Sequence, residues 1–365
     1  MTDAARLERF SAGERFAVHP DAIERELSSL WRAAGKTTDE AHPVTRACLW
    51  NVAIHVEERA GREGYFDPEA QVRMINDLPR YLAARALVLR TRDPEAEKEE
   101  LESWISANCI LSGDGGKLVC SEEITLAARG PGDRHLPSLV RALLVPAVPT
   151  ALVFGGVPAP ENPLVKGLVG AADRLVVRAD RAQGSDPLRR IAKYLERTDL
   201  SVIDLGWVDT SAWRREVAAL VDPPFPAEEI SRIQKAELRA PPNERMTARL
   251  LLGWIGASLG VGLPVRIGQG AWRLPKTGGG DLQLNLRIDE GEALGLELSG
   301  HAMSRPLAIA ARRDTETIDI STVEGFVDQK PIKQRQAAAI LSRALVTRGH
   351  DRTFQRALRL ATELS

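Results

Sequence analysis

Apolar positions recur along this chain with two periods, and the switch between them predicts the elements. Ile23, Leu27, Leu30 and Trp31 fall on one face of a helix opening at Pro20. A lone helix cannot bury such a stripe, so it is expected to dock on the body or on a partner. Thr45 to Val56 reads as one strand. Asp67-Pro68 opens a helix to Leu78, with aspartate as cap and proline in the first turn. Ala83–Arg90, Trp104–Leu111 and Leu118–Ala128 read as strands, and Ser112–Lys117 joins the last two as a hairpin loop. Short strands then alternate with helices: helix 135–144, strand 151–154, helix 164–171, strand 174–177, helix 187–197, strand 201–205.

Asp222-Pro-Pro-Phe-Pro226 interrupts the pattern, because proline lacks a donor and restricts the residue before it. Gly155–Pro163 is a second candidate boundary. Beyond residue 226 the spacing predicts a strand at Ile230–Leu238, a helix at Met246–Leu259, a strand meander from Trp272 to Ile320 and two terminal helices. The expected fold class is α/β. A helical segment (1–43) precedes a mixed-sheet α/β sandwich (44–222, with the alternative boundary near 155–163) and a smaller α+β domain with C-terminal helices (229–365). A length of 365 residues agrees with two domains.

Composition narrows the function classes. Apolar residues make up 44% of the chain, enough for real cores. The net charge is −1, and nothing suggests the basic face on which nucleic-acid affinity rests, so no nucleic-acid partner is expected. The acidic run Asp93–Glu102 reads as a solvated helical turn. The start Met-Thr-Asp-Ala-Ala-Arg has no apolar signal core, and no apolar run is long enough to span a bilayer. A cytoplasmic location without a membrane partner is the expectation. Cys48, Cys109 and Cys120 show no CxxC spacing, so all three are expected to be reduced and free of metal. Cys109 and Cys120 flank the hairpin loop and can approach across the ladder, which is the weak point of that expectation.

Few motifs carry chemistry. Gly113–Lys117 and Thr277–Asp281 are glycine-rich, but phosphate loops run from a strand into a helix, and these read as hairpin turns. GxGxxG, GxSxG and HExxH are absent, so no cofactor and no catalytic nucleophile are expected. The six histidines show no ligand spacing on one helix. Period-two geometry puts Cys120 and Glu122 on one face of their strand and Glu123 on the other. A carboxylate beside a thiol opposes thiolate formation, so Cys120 reads as a structural residue.

Asp204, Trp207, Trp213 and Arg214 sit at a strand end, a turn and a helix start, where α/β sheets bind ligands. The plainer reading, which is favoured, has the two tryptophans covering the sheet edge, with Asp209 or Thr210 as helix cap. Trp254 lies on a helix with Gly253, Gly256 and Ala257, where internal packing is favoured over a subunit interface. Lys235, Glu237 and Arg239 share one face of a strand as a polar ladder that faces water or an anionic ligand.

The order of short motifs now matters. Ala22-Ile-Glu-Arg-Glu-Leu-Ser-Ser-Leu-Trp-Arg32 is followed by Arg46-Ala-Cys-Leu-Trp-Asn51 and Cys120-Ser-Glu-Glu-Ile124. Then come Leu143-Leu-Val-Pro-Ala-Val-Pro149, Asp204-Leu-Gly-Trp207 with Trp213-Arg214, and Leu250-Leu-Leu-Gly-Trp254. From about residue 20 to residue 300 this series resembles the glucose-6-phosphate dehydrogenase assembly proteins, the OpcA family. The resemblance implies a non-catalytic partner that binds glucose-6-phosphate dehydrogenase, promotes its active oligomer and raises its activity in the oxidative pentose phosphate pathway. Asp204, Trp207, Trp213, Arg214 and Trp254 are then the candidate partner-binding residues. In photosynthetic members the effect is linked to thiol redox state, but no cysteine follows Cys120 here, which excludes a disulfide switch in the C-terminal part. The alternative is a stand-alone sugar-phosphate-binding enzyme, lactonase- or isomerase-like, using Asp204, Lys235, Glu237 and Arg239. That alternative requires a polar constellation converging in a deep pocket; the partner reading does not.

Overall fold

The computed structural model describes residue 10 and residues 13–37, 44–58, 68–111, 118–182, 184–220, 231–290, 294–300, 307–312, 317–322, 325–331, 336–347 and 349–365. The expected linker at 222–226, the hairpin loop at 112–117 and the cap Asp67 lie outside the described residues. Two units are interleaved in sequence. Met1–Val177, Thr198–Val202 and Gln336–Val346 form the first, and Arg178–Arg197, Ile203–Arg335 and Thr347–Ser365 the second. Neither unit ends at residue 222, because the chain returns to each after leaving it.

The first unit is built on a mixed nine-stranded sheet. Its strands are β1 (Phe16–Val18), β2 (Val44–Arg46), β3 (Trp50–Glu58), β4 (Ala84–Arg92), β5 (Glu100–Leu111), β6 (Leu118–Arg129), β7 (Thr150–Phe154), β8 (Arg174–Val177) and β9 (Ser201–Asp204). They run in the order β1-β5-β6-β4-β3-β7-β8-β9, with β2 on β6. The pairs joining β6, β4, β3, β7 and β8 are parallel, whereas β5 lies antiparallel to β6 and β1. Parallel strands are covered on both faces, which is why Leu87, Val88 and Leu89 are all buried in an unbroken apolar run. The strand expected from Thr45 to Val56 is split. Ala47 N–H donates to Cys120 O and Leu49 N–H to Ala83 O, as the chain leaves β6 for a new neighbour, β4.

Helix α1 (Ile23–Thr37) docks its stripe on the body, with Ile23, Leu27 and Leu30 buried. Its polar side chains reach inward to Arg85 of β4. The Arg85 guanidinium is held by Glu122 at 2.7 Å, by Glu24 and by the Leu143 carbonyl at 2.7 Å, and the Trp31 indole donates to Glu122. A buried cation is tolerated only with such a full complement of acceptors. Glu123, on the opposite face of β6, pairs with Arg15 at 2.8 Å.

Cys109 and Cys120 correct the expectation of three reduced thiols. They are register partners across the antiparallel β5–β6 pair and form a disulfide, which leaves Cys48 as the free cysteine. Their separation in sequence does not by itself place the sulfurs on one face; the hairpin register does.

Helices α2 (Pro68–Asp77), α3 (Leu136–Leu143), α4 (Pro163–Val169), α5 (Pro187–Tyr194), α6 (Leu205–Asp209), α7 (Ser211–Leu220), α8 (Arg245–Ser258), α9 (Ala337–Val346) and α10 (Arg352–Glu363) complete the chain. In the first unit, α9 packs on α2 and α3 on α4. Arg174 of β8 donates to the Ala344 and Leu345 carbonyls at the end of α9, where a cation complements the helix dipole.

The second unit holds an eight-stranded sheet: β10 (Lys235–Ala240), β11 (Val265–Gly268), β12 (Ala271–Pro275), β13 (Asp281–Ile288), β14 (Gly295–Ser299), β15 (Leu307–Arg312), β16 (Thr317–Thr322) and β17 (Gly325–Pro331). The order is β11-β12-β13-β10-β14-β15-β16-β17. β10 pairs parallel with β13 and antiparallel with β14. The strand expected at 230–238 is thus displaced to 235–240. Its register is set by these two neighbours, and it buries Ala236, Leu238 and Ala240 beside Trp272, Leu274, Leu282, Leu284, Leu296 and Leu298. α8 packs on β10 and β13 and against α10. Gly253 is what allows the helix contact: a Cβ there would collide with the Ala357 carbonyl and come within 3.0 Å of the Ala361 methyl.

Candidate functional site

β9 ends at Asp204, and the residues singled out in the sequence follow it. Asp204 is fully buried and caps α6. One carboxylate oxygen accepts from Trp207 N–H at 2.9 Å and the other from Ala179 N–H at 2.7 Å. Asp204 thus caps α6, the short helix that precedes the one bearing Trp213. Thr210, between the two helices, donates its hydroxyl to the Gly206 carbonyl at 3.1 Å and accepts from Arg214 at 2.7 Å.

A second carboxylate lies beside the first. Asp180 accepts from Met246 N–H at 2.7 Å, from Thr247 N–H at 3.1 Å and from the Thr247 hydroxyl, so it caps α8. Gly206 brings the two together. A Cβ on it would strike the Thr247 hydroxyl, 3.0 Å from one Asp204 oxygen and 3.3 Å from one Asp180 oxygen. Burial, with the neighbouring Asp180 charge, pushes the Asp204 carboxyl up to about 6, against the two amides and Arg178. Burial likewise raises Asp180, against its three hydrogen bonds and Arg178. Each oxygen of the pair already accepts a hydrogen bond, so the pair holds chain segments together and presents no free base.

Trp207 is the packing anchor of this cluster and is 2% exposed. Its indole N–H donates to Asp351 at 2.9 Å, and Asp351 also caps α10 through Phe354 N–H at 2.9 Å. The Phe354 ring lies 5.7 Å away, and the Arg214 guanidinium stacks 3.4 Å from the indole centre while donating to the Trp207 carbonyl. Trp213 is buried in the sheet's core with Val217, and Trp254 packs partly buried against the same core. The structure thus joins Asp204, Trp207 and Arg214 in one cluster with Asp180, Thr247, Asp351 and Phe354. Of the five candidate partner-binding residues, only Arg214 and Trp254 keep surface that another molecule can touch.

Lys235, Glu237 and Arg239 stand apart, on the open face of the sheet. Glu237 is 4% exposed and is ringed by cations: Lys235 at 3.0 Å, Arg239 at 3.1 Å and Arg287 at 3.1 Å. Burial alone would raise its carboxyl, but hydrogen bonds from Lys235 and Arg239 and the charges of Lys235 and Arg287 hold it below the usual carboxylate range. The ladder neutralises itself around one acid.

Sequence reasoning missed Asp180, Asp351 and Arg287. Asp351 carried a legible signal, an Asp three residues before Phe354 at the head of an amphipathic helix. Arg287 carried none, since only the β10–β13 register brings it to Glu237. Among the described residues, no group of three or more His, Cys, Asp or Glu is placed to hold a metal ion. No helix among them is long and apolar enough to cross a membrane.

Known proteins match over this region and before it. The family models described as the N-terminal and the C-terminal domain of a glucose-6-phosphate dehydrogenase subunit match residues 76–196 and 200–358. A putative OxPP cycle protein OpcA of Synechococcus elongatus is 25% identical over 163 residues, covering 44% of this chain and 36% of its own length. Its namesake in Nostoc punctiforme is 25% identical over 166 residues, covering 45% of this chain and 35% of its own. The matched stretch is thus about a third of the length of these curated relatives. Among solved structures, KijD10, a 3-ketoreductase from Actinomadura kijaniata in complex with TDP-benzene and NADP, is 13% identical with a TM-score of 0.48, over 87% of this chain and 96% of that one.

Proposed function

Because this chain belongs to the OpcA family of glucose-6-phosphate dehydrogenase assembly proteins, we propose that it is a non-catalytic partner of that dehydrogenase. It binds the enzyme, promotes its active oligomer and raises its activity in the oxidative pentose phosphate pathway. The observation that carries this reading is the pair of family matches over residues 76–196 and 200–358. Mechanistically the effect is a population shift: the protein binds the active oligomer better than the inactive form, and the shift equals that difference in affinity.

The geometry of the candidate residues supports the partner reading over the stand-alone sugar-phosphate enzyme. That alternative needs Asp204, Lys235, Glu237 and Arg239 to converge on a substrate. Asp204 holds two backbone amides inside the cluster, and Glu237 is neutralised on the sheet face.

Titration of this protein into glucose-6-phosphate dehydrogenase at limiting glucose 6-phosphate tests the proposal, with albumin as control. Coupling of about 1–3 kcal/mol corresponds to a change in substrate affinity of roughly 5–150-fold at saturation. A flat rate curve, together with no complex by size-exclusion chromatography, defeats the proposal.

A further inference from the structure

The order of strands in the first unit's sheet carries a ligand expectation of its own. Counted along the chain, β3, β4, β6, β7, β8 and β9 are first to sixth, and across the sheet they run third, second, first, fourth, fifth, sixth. Pairing from β6 through β4, β3 and β7 to β8 is parallel throughout. Sheets of this order bind dinucleotides, in the crevice beyond the carboxyl ends of the strands where the order reverses. Here the reversal lies between β3 and β7. A dinucleotide asks three things of such a sheet. The end of the first strand must let backbone amides approach the pyrophosphate. The end of the second must offer an acid to the ribose or an arginine to a 2′-phosphate. The reversal point must be open.

The residues at these three places are of another kind, and the chain has no GxGxxG. β3 ends in Glu57 and Glu58, two carboxylates whose charge opposes a pyrophosphate. β4 ends with Arg90 and Arg92, but Glu58 holds both: Arg92 Nε donates to one carboxylate oxygen at 2.7 Å, and Arg90 Nε donates to the other. Glu58 and Arg90 are only 22% and 23% exposed, so this pairing is partly shielded from water. At the reversal point His55 and Phe154 are register partners and lie ring to ring, centroids 5.3 Å apart, with Phe154 buried. The imidazole is also hydrogen-bonded to the Thr91 hydroxyl at 3.1 Å. Burial lowers it to about 4, against the charge of Glu57, so it brings no positive charge to a phosphate at neutral pH. We infer that the first unit is a dinucleotide-type sheet closed by its own side chains: Glu58, Arg90 and Arg92 neutralise one another at the ribose end, and His55 with Phe154 fills the reversal point. The protein therefore binds neither NAD nor NADP. On the partner reading, on which this last consequence rests, it acts on the dehydrogenase without holding a nicotinamide nucleotide of its own.

Equilibrium dialysis of the full chain against NADP, NAD and adenosine 2′,5′-bisphosphate tests the inference. No dehydrogenase is present, so the outcome is separate from that of the partner reading. The wild-type protein binds each of the three with a dissociation constant above about 1 mM. Glu58→Gln keeps the side chain's shape and frees the charge of both arginines. It binds adenosine 2′,5′-bisphosphate at least about tenfold more tightly than the wild type does, the strength of one charge-assisted hydrogen bond. Arg92→Ala added to Glu58→Gln removes that gain. A dissociation constant below about 1 mM for NADP or NAD on the wild-type protein overturns the inference. So does a folded Glu58→Gln protein that gains nothing, because the three side chains then close nothing. Should Glu58→Gln lose its fold by circular dichroism, Glu58→Ser takes its place with the same expectation, and the wild-type measurement needs no variant.

Discussion

Replacing Asp204 by asparagine removes a charge that burial disfavours while nearly preserving the side chain's shape. The folded carboxyl titrates at about 6 and the unfolded one at 3.8. The folded state thus binds the proton more tightly. This group's stabilisation is fully present below pH 3.8 and is lost as pH rises through about 6. At about 1.36 kcal/mol per pH unit, a shift from 3.8 to about 6 is worth about 3 kcal/mol in all. About 2 kcal/mol of that falls between pH 4.5 and the upper pKa, a range in which unfolding can be measured. Asparagine does not titrate. It offers one oxygen where the aspartate offers two, so either Ala179 N–H or Trp207 N–H loses its acceptor, at a pH-independent cost of about 1–3 kcal/mol. The assay is urea unfolding of both proteins from pH 4.5 to pH 8, followed by tryptophan fluorescence. Four of the seven tryptophans (207, 213, 254 and 272) lie in the second unit. Subtracting the two profiles cancels the titrating groups that do not interact with Asp204; Asp180, whose charge it feels, stays in the difference. The wild-type advantage should shrink by about 2 kcal/mol across that range. A difference that stays constant with pH would refute the reasoning, because it means that Asp204 has the same proton affinity folded and unfolded.

Three further outcomes follow from the packing. Thiol titration of the unfolded protein should find one free group, Cys48, without reductant and three after reduction; three without reductant would remove the Cys109–Cys120 disulfide. Gly253→Ala should destabilise by about 1–3 kcal/mol in calorimetry, because the new methyl meets the α10 backbone at Ala357 and α8 must move away; an unchanged midpoint would mean the two helices are not in close contact. Trp207→Ala should cost about 3–5 kcal/mol of stability, whereas Trp254→Ala should cost less; a stably folded Trp207→Ala protein that has lost only partner binding would contradict the burial of this side chain.

Local patterning made most of the elements legible. Strands whose side chains alternate, such as β12 and β13, and helices with a clean stripe, such as α1 and α10, come directly from spacing. Three things were not legible, for one reason: they depend on which strand lies beside which. The Thr45–Val56 run is uniformly strand-like, and its break at Ala47–Leu49 arises only because the chain changes neighbour. Cys109 and Cys120 are opposite each other by register. Glu237 finds Arg287 through a parallel pairing between strands more than forty residues apart. The candidate site was half legible. The sequence groups Asp204 and Trp207 with Trp213 and Arg214, but a tryptophan at a turn reads equally well as surface or core, and what buries Trp207 is Phe354 and Asp351 from the far end of the chain.

The place of β10 in its sheet sets an order of events during synthesis. β10 leaves the ribosome before either of its neighbours, β13 and β14, yet it lies between them. On one side of it β11, β12 and β13 follow one another in chain order, and on the other β14 to β17 do, so each group can assemble by short hairpins. Neither group can join the other until this six-residue strand is seated between them. Until then the nascent chain carries a strand with two open edges, whose apolar row, Ala236, Leu238 and Ala240, has only the next helix, α8, to cover it. The sheet therefore closes at its middle, late and through non-local pairing. The interval between translation of β10 and of β14 is when this half of the protein is most open to misassembly.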